Sequence, residues 1–328
     1  KVPFYKRSML YSLFLLPLLA NGWTLKDTYQ GMNFFGQFDF FTSGDPTHGY
    51  VDYVSQSEAT SEGLINATTS KIYMGADNKN VASGSGRKSV RITSKTTYNT
   101  PSLFILDLSH MPACCGCWPA YWLVGPSWPN SGEVDIIENV DLATNDQSTL
   151  HTNEGCSFKN VNGGLYKNFT GTWGTGSNGQ PSADCYINAA GEYSNQGCGI
   201  INNNAASFGN PFNNKKGGVY AVEWTSEGIF MWFWNTGSVP SNVISNSPNP
   251  DSWGTPYAGF PFGSWCPASK FKNQQIVFDL TFCGDWDGSV FGTDCPNDAG
   301  GNCESWVKNN PSEFKEAYWI VDYIKVFQ

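Results

Sequence analysis

The chain has 328 residues, of which 14% are charged and 15% are aromatic, and its formal net charge is -9. A nucleic acid or an anionic membrane requires a positively charged face, so both are excluded as the main partner and a neutral substrate is expected. The scarcity of charge and the abundance of aromatic residues and turn formers favour an all-β protein.

Residues 1–22 have the pattern of a signal peptide. Lys1, Lys6 and Arg7 precede an apolar run, Met9 to Ala20, that is too short to cross a bilayer. The alternative interpretation of this run is a buried core helix. We expect a secreted, extracellular protein in which residues 23–328 form a single domain.

Ten cysteines agree with export, because an even number in an exported chain indicates disulfide bonds whose pairing the sequence leaves open. The cluster Cys114-Cys115-Gly116-Cys117 is a weak candidate for zinc, since no second cysteine pair with histidine follows it. Asn66 and Asn168 begin glycosylation sequons and are expected on surface loops.

Short strand-like runs separated by turn residues follow along the chain, a pattern typical of a β-sandwich or barrel. The predicted strands are 34–41, 71–76, 89–93, 103–108, 133–138, 148–152, 219–225, 228–234, 275–283 and 317–327. One or two helical turns are predicted at 304–307 and 312–317, with Ser312 as an N-cap. Residues 158–214 are rich in Gly, Asn and Ser and are predicted to be long loops pinned by disulfides over the sheet.

The segment Glu133-Val134-Asp135-Ile136-Ile137-Glu138 places three carboxylates in a strand otherwise made of Val and Ile. Like charges on an apolar surface repel one another and lose solvation, and no Lys or Arg lies between Lys95 and Lys159 to neutralise them. The alternative to a catalytic role is a set of buried structural acids. Glycoside hydrolysis needs such a cluster, with one carboxyl protonated and one ionised.

The alternation of a strand places Glu133 and Asp135 on one face and Glu138 on the other. An added residue at Ile136-Ile137, a β-bulge, would return Glu138 to the first face. The spacing therefore predicts a bulged strand beside an active site. A retaining enzyme needs its two carboxyl groups only about 5–5.5 Å apart, and these positions allow that distance.

This hexapeptide and its surroundings resemble glycoside hydrolase family 16, in the form found in laminarinases and fungal endo-1,3(4)-β-glucanases. The supporting motifs are Asp45-Pro46-Thr47-His48-Gly49, Ser89-Val90-Arg91-Ile92, Trp118-Pro119-Ala120-Tyr121-Trp122, Thr149-Leu150-His151-Thr152 and Thr281-Phe282-Cys283-Gly284-Asp285-Trp286. The resemblance implies a β-jelly-roll sandwich of two antiparallel sheets with substrate in a concave cleft.

The resemblance also implies residue roles. Glu133 would be the nucleophile, Glu138 the acid/base and Asp135 an assisting group between them. The implied substrate-binding residues are Trp122, Trp128, Trp286, Arg91 and His151. His151 is expected near the acid/base carboxyl, where it would tune proton affinity. The alternatives are core packing for each tryptophan, an ion pair with a buried acid for Arg91, and a structural role for His151.

The expected activity is hydrolysis of β-1,3-glucan or mixed β-1,3/1,4-glucan with retention of configuration, by a monomer without cofactor or catalytic metal. A calcium-binding loop of the usual oxygen-rich pattern is not found in the sequence. Two alternatives are a transglycosylase on the same scaffold and an inactive β-glucan-binding protein. The added residue at Ile136-Ile137 counts against the first, and the presence of both Glu133 and Glu138 counts against the second.

Overall fold

The computed structural model describes residues 22–296 and 299–328. The predicted signal peptide, apart from Gly22, lies outside these residues. The strands are β1 Leu25–Tyr29, β2 Phe38–Phe40, β3 Val51–Tyr53, β4 Ile65–Ala67, β5 Ile72–Gly75, β6 Arg87–Ser89, β7 Arg91–Ser94, β8 Ser102–His110, β9 Cys117–Val124, β10 Glu133–Glu138, β11 Gln147–His151, β12 Thr172–Trp173, β13 Cys198–Ile201, β14 Gly218–Trp224, β15 Gly228–Asn235, β16 Ala258–Pro261, β17 Gln275–Phe282 and β18 Tyr318–Phe327. The helices are α1 Gln56–Glu62, α2 Gly209–Asn214, α3 Ser241–Ile244, α4 Asp287–Asp294 and α5 Cys303–Asn309.

Two large antiparallel sheets form the sandwich, as predicted. The first has the order β16-β15-β14-β8-β18-β5-β4, with β1 also paired to β18, and the second has the order β12-β13-β11-β10-β9-β17-β7-β2. A small parallel pair, β3 and β6, lies apart from both sheets. Among the described residues, no helix is long and apolar enough to span a bilayer.

The main core lies between the two sheets, and one face of each strand supplies it. In β10 the core side chains are Val134, Ile136 and Ile137, all at most 2% exposed. Phe278 of β17 meets Trp319 of β18 edge-on, with ring centroids 5.4 Å apart. Each such side chain contributes about 1.5–3 kcal/mol by leaving water, which holds the second sheet against the first.

Several local predictions differ from the structure. Residues Gly31–Gln37 form a 3-10 helix, so the predicted strand at 34–41 is wrong over its first half. Gly31 starts this helix at a φ of 72°, which favours glycine and does not suit a strand. The helical turn predicted after Ser312 is a 3-10 helix, Pro311–Phe314, and Asn310 occupies its cap position, so Ser312 as N-cap is wrong.

Strand β9 is not among the predicted elements, although it lies between β10 and β17 in the second sheet. Pro119 interrupts the strand signal of the sequence, since proline has no amide to donate to a neighbouring strand. Pro119 pairs with Leu280 of β17, beyond the last pair that β9 makes with β10, which is Ala120 with Glu138. The segment 158–214 is mainly loop, as predicted, with β12, β13 and α2 inside it.

Candidate active site

Strand β10 contains the predicted bulge. Against β9, Asp135 pairs with Trp122 and Ile137 with Tyr121, so Ile136 is the extra residue. Against β11, the register likewise shifts between Asp135 and Glu138. The bulge lets two consecutive isoleucines point into the core and returns Glu138 to the face that carries Glu133 and Asp135. We call this side of the second sheet, which faces away from the core, the cleft face.

The three carboxyl groups lie in surroundings that disfavour their charge. Burial, together with the nearby charge of Asp135, raises the pKa of Glu133 to about 8, while His151 and Arg91 oppose the increase. Burial also raises the pKa of Glu138 to about 8, with Asp135 adding to the effect. The pKa of Asp135 is raised well above its usual value by burial and by Asp279. The cluster therefore retains protons at neutral pH, which is the condition that acid catalysis requires.

His151 lies beside Asp135 and Glu133, and its charge also lowers the pKa of Glu138, the carboxyl near which it was expected. Its Nε2 is 3.2 Å from an oxygen of Asp135 and 3.9 Å from an oxygen of Glu133. On β11 the residue opposite Glu133 is His151, whereas the residue opposite Glu138 is Gln147. The imidazole is therefore closest to Asp135, and its charge lowers the pKa of both Glu133 and Glu138.

Trp118 contacts Glu138 directly and was not identified as a site residue from the sequence. Its indole nitrogen donates a hydrogen bond of 2.8 Å to Oε1 of Glu138. Its ring also meets the ring of Trp286 edge-on, at a centroid distance of 5.7 Å. The alternation Trp118, Ala120, Trp122 along β9 was the available signal, because every second residue of a strand shares a face.

Trp122 lies on the cleft face beside Asp135 and is 9% exposed. The guanidinium of Arg91 lies 4.9 Å from the ring centroid of Trp122 and 4.8 Å from that of Phe41. Arg91 also pairs with Asp279 across 3.9 Å, and 14% of its side chain is exposed. Arg91 thus contacts Trp122 and forms an ion pair with the buried acid Asp279, which is the alternative to substrate binding given for Arg91 above.

Trp128 lies in the loop between β9 and β10 and is 43% exposed. The loop is attached to the chain that follows β11: Asn153 donates a hydrogen bond of 2.9 Å from its Nδ2 to Oδ1 of Asn130. Lys270 in turn donates hydrogen bonds to Asn153 and to the carbonyl of Glu154. An exposed indole on a braced loop is suited to contact the apolar face of a sugar ring.

Both sequons are at the surface. Asn66 is exposed but belongs to the edge strand β4, so its expected position on a loop is wrong. Asn168 is exposed in the loop between β11 and β12.

All ten cysteines are paired in disulfide bonds. The pairs are Cys114–Cys117, Cys115–Cys295, Cys156–Cys266, Cys185–Cys198 and Cys283–Cys303. The cysteine cluster therefore forms disulfides and offers no thiolate to zinc. One group of possible cation ligands lies on the cleft face, where side-chain atoms of Glu133, Asp135 and His151 are within 4.8 Å of one another.

Comparison with known proteins identifies the family. The model of the family described as XgeA-like, catalytic GH16 domain, matches residues 38–327. This chain belongs to glycoside hydrolase family 16. A probable glycosidase of Schizosaccharomyces pombe is 43% identical over 312 residues, which are 94% of this chain and 70% of that protein.

Two further relatives are named glucanases. An endo-1,3(4)-beta-glucanase of Arthroderma benhamiae is 41% identical and matches 93% of this chain and 64% of its own length. A probable endo-1,3(4)-beta-glucanase of Aspergillus flavus is 40% identical and matches 98% of this chain and 47% of its own length. The chain thus spans only part of the length of these family 16 relatives.

Solved structures of the family share the fold over nearly the whole chain. Laminarinase 16A from Phanerochaete chrysosporium, solved with 6-O-glucosyl-laminaritriose in its donor and acceptor sites, has a TM-score of 0.85 and 38% identity, covering 94% of this chain and 100% of that one. An elongating family 16 beta-1,3-glucosyltransferase has a TM-score of 0.82 and 39% identity, covering 93% of this chain and 100% of that one. The jelly-roll assignment is therefore confirmed.

Proposed function

We propose that residues 23–328 form a single secreted catalytic domain that hydrolyses β-1,3-glucan or mixed β-1,3/1,4-glucan internally, with retention of configuration. The observation that carries the proposal is the bulge of β10, because it brings Glu138 to the face of Glu133. Five disulfides support an oxidising, extracellular setting.

In this proposal the ionised carboxylate of Glu133 attacks the anomeric carbon. Glu138 gives its proton to the glycosidic oxygen, so the bond to the leaving sugar breaks as the glycosyl-enzyme ester forms. Glu138, now ionised, takes a proton from water, whose oxygen attacks the anomeric carbon and releases Glu133. Two inversions give net retention.

Burial raises the pKa of Glu133 and of Glu138 alike to about 8, so the division of labour rests on the neighbours of each carboxyl group. Glu138 has a pKa raised by burial to about 8, so at neutral pH it starts with the proton that the leaving sugar needs. Glu133 must be ionised, and the positive groups that oppose its raised pKa are His151 and Arg91. Asp135, whose own pKa is raised well above its usual value by burial, assists when it is protonated, because its charge would otherwise raise the pKa of Glu133.

The substrate class rests on the relatives and on the chemistry of the cleft face. The Arthroderma and Aspergillus relatives are named as an endo-1,3(4)-beta-glucanase and a probable one, and the Phanerochaete structure holds a β-glucan oligosaccharide. In this chain the ring of Trp286 meets Trp118, which donates to Glu138, and Trp128 presents an exposed indole in the loop that precedes β10. Aromatic plates with polar rims suit glucose rings.

The deciding experiment measures reducing sugar from laminarin, lichenan and cellulose with Glu133→Gln and Glu138→Gln. We expect Glu133→Gln to fall to background and Glu138→Gln to lose about 10²–10⁴-fold on both laminarin and lichenan. Glu223→Gln is the matched control, since Glu223 is a partly buried glutamate of β14 in the other sheet. Parental rates in Glu133→Gln, or an α-anomer as first product in proton NMR, would refute the proposed mechanism.

A second candidate function is glucosyl transfer, favoured by one observation. The glucosyltransferase is as similar to this chain, at 39% identity, as the laminarinase is at 38%. The glycosyl-enzyme is common to both reactions, so the outcome depends on whether water or a sugar reaches the anomeric carbon. Mass spectrometry of products from concentrated laminarioligosaccharides separates the two, because only transfer gives chains longer than the substrate.

A further inference from the structure

Buried side chains on the core side of the second sheet form hydrogen bonds with the backbone at the bulge. The carbonyl of Ile136, the extra residue of β10, accepts a hydrogen bond of 2.8 Å from Oγ of Ser148. The amide of Glu138 donates one of 3.0 Å to Oδ1 of Asp146. Asp146 and Ser148 are both 0% exposed, and Ser148 shares a face of β11 with the core residue Leu150, so these bonds form on the core side of the sheet, opposite the carboxyl group of Glu138.

Tyr257 joins these two side chains from the opposite sheet. It immediately precedes β16, and its amide donates to the carbonyl of Met231 in β15. Its hydroxyl lies 2.7 Å from Oγ of Ser148, 3.2 Å from Oδ2 of Asp146 and 3.4 Å from the carbonyl of Ile136. Tyr257 is 5% exposed, so it spans the core from one sheet to the bulge of the other.

Each hydrogen bond of this network has one proton to donate when Asp146 is neutral. Asp146 then donates from Oδ2 to Tyr257, Tyr257 donates to Ser148, and Ser148 donates to the carbonyl of Ile136. Oδ1 of Asp146 remains free to accept from the amide of Glu138. Burial raises the pKa of Asp146 well above its usual value and so favours the neutral acid, although the hydrogen bond from the Glu138 amide opposes the rise. Tyr220, whose own hydroxyl donates to the carbonyl of Ser207, also faces this acid.

We propose that Asp146, Ser148 and Tyr257 are positioning residues that hold the bulge of β10 and thereby aim Glu138 at the glycosidic oxygen. A bulge leaves one residue without its regular ladder partners, and buried polar backbone groups without partners are destabilising. The network supplies those partners in one register only. It therefore stabilises the bulged register over a regular strand, in which Glu138 would point into the core. This inference rests on the proposed role of Glu138 as acid/base.

The test uses Tyr257→Phe, which removes only the hydroxyl, and Ser148→Ala as a second variant. The readout is kcat/KM on laminarin and on 2,4-dinitrophenyl β-laminaribioside. Dinitrophenolate leaves without a proton, so its release does not depend on a correctly aimed acid. We expect each variant to lose about 10–100-fold on laminarin, as misplacement of a catalytic group by an ångström does, and less than about twofold on the aryl glycoside.

Tyr121→Phe is the matched control. Tyr121 is 1% exposed in the same core and lies opposite Ile137, and its hydroxyl has no hydrogen-bond partner among residues 22–296 and 299–328. The control should keep both rates. The proposal is overturned if folded Tyr257→Phe and Ser148→Ala keep the parental laminarin rate, or lose both substrates equally. Glu138→Gln separates the two hypotheses. If Glu138→Gln loses laminarin and aryl glycoside activity equally, Glu138 is not the acid. If only Glu138→Gln loses laminarin activity selectively, the acid role stands and the positioning role is rejected.

Discussion

Removing the indole nitrogen of Trp118 should make the proposed acid harder to ionise. In the free protein, burial raises the pKa of Glu138 to about 8, while the hydrogen bond from Trp118 lowers it by favouring the carboxylate. Trp118→Phe deletes that bond and keeps an aromatic ring against Trp286. Glu138 then stays protonated to a higher pH, so the alkaline limb of kcat/KM moves upward.

The size of this effect follows from the 2.8 Å bond. A hydrogen bond to a charged group contributes about 1.5–3 kcal/mol, and the lower end applies because Glu138 is partly exposed. Since about 1.4 kcal/mol corresponds to one pKa unit, the alkaline limb should move by about one pH unit. The assay is the pH dependence of kcat/KM on laminarin between about pH 5 and 11.

Trp232→Phe is the control for this experiment. Trp232 is 7% exposed and donates a 2.9 Å hydrogen bond to the carbonyl of Gly254, in the cluster on the outer side of the first sheet. Both variants should lose about 1 kcal/mol of unfolding free energy, but only Trp118→Phe should alter the pH profile. An unmoved alkaline limb in Trp118→Phe, or an equal movement in Trp232→Phe, would refute the reasoning.

Three further outcomes are expected. Trp128→Ala should raise KM for laminarin by about tenfold with an unchanged melting temperature, because the ring is 43% exposed and supports little of the core. Arg91→Lys should lower the unfolding free energy by about 1–2 kcal/mol in urea titration, because an ammonium group cannot keep the contacts with both Phe41 and Trp122; an unchanged stability with a raised KM would instead assign Arg91 to the substrate. Replacing Cys156 and Cys266 together by serine should cost about 2–5 kcal/mol in the same titration, and no loss would show that their 110-residue separation is closed by other contacts.

The bulge could be predicted from the sequence because apolar and acidic residues alternate strictly in β10 up to one displaced acid. Val134 and Ile136 fix the core face, and Glu138 then lies out of phase by one residue. The register against β9 and β11 confirms this prediction. The same logic failed for β9, where Pro119 hides the strand, and with it the contact of Trp118 with Glu138.

Contacts between distant segments left no comparable signal. The position of His151 beside Asp135 depends on the register of β11 against β10, which a single sequence does not specify. The five disulfide pairs depend on how loops meet, and ten cysteines allow many pairings. Tyr257 gave no sign of its role, since it reaches Asp146 across the core from a loop 111 residues away.

The bulge of β10 also changes what the strand gains from the core. A regular strand would turn Val134, Ile136 and Glu138 to its inner face, whereas the bulge places Ile137 there in the position of Glu138. Each fully buried aliphatic side chain contributes about 1.5–3 kcal/mol, so this hexapeptide supplies an apolar gain of several kcal/mol at the point where its acids lose their hydration. The apolar burial of this segment thus offsets part of the free energy that its three carboxyl groups lose through desolvation and mutual repulsion.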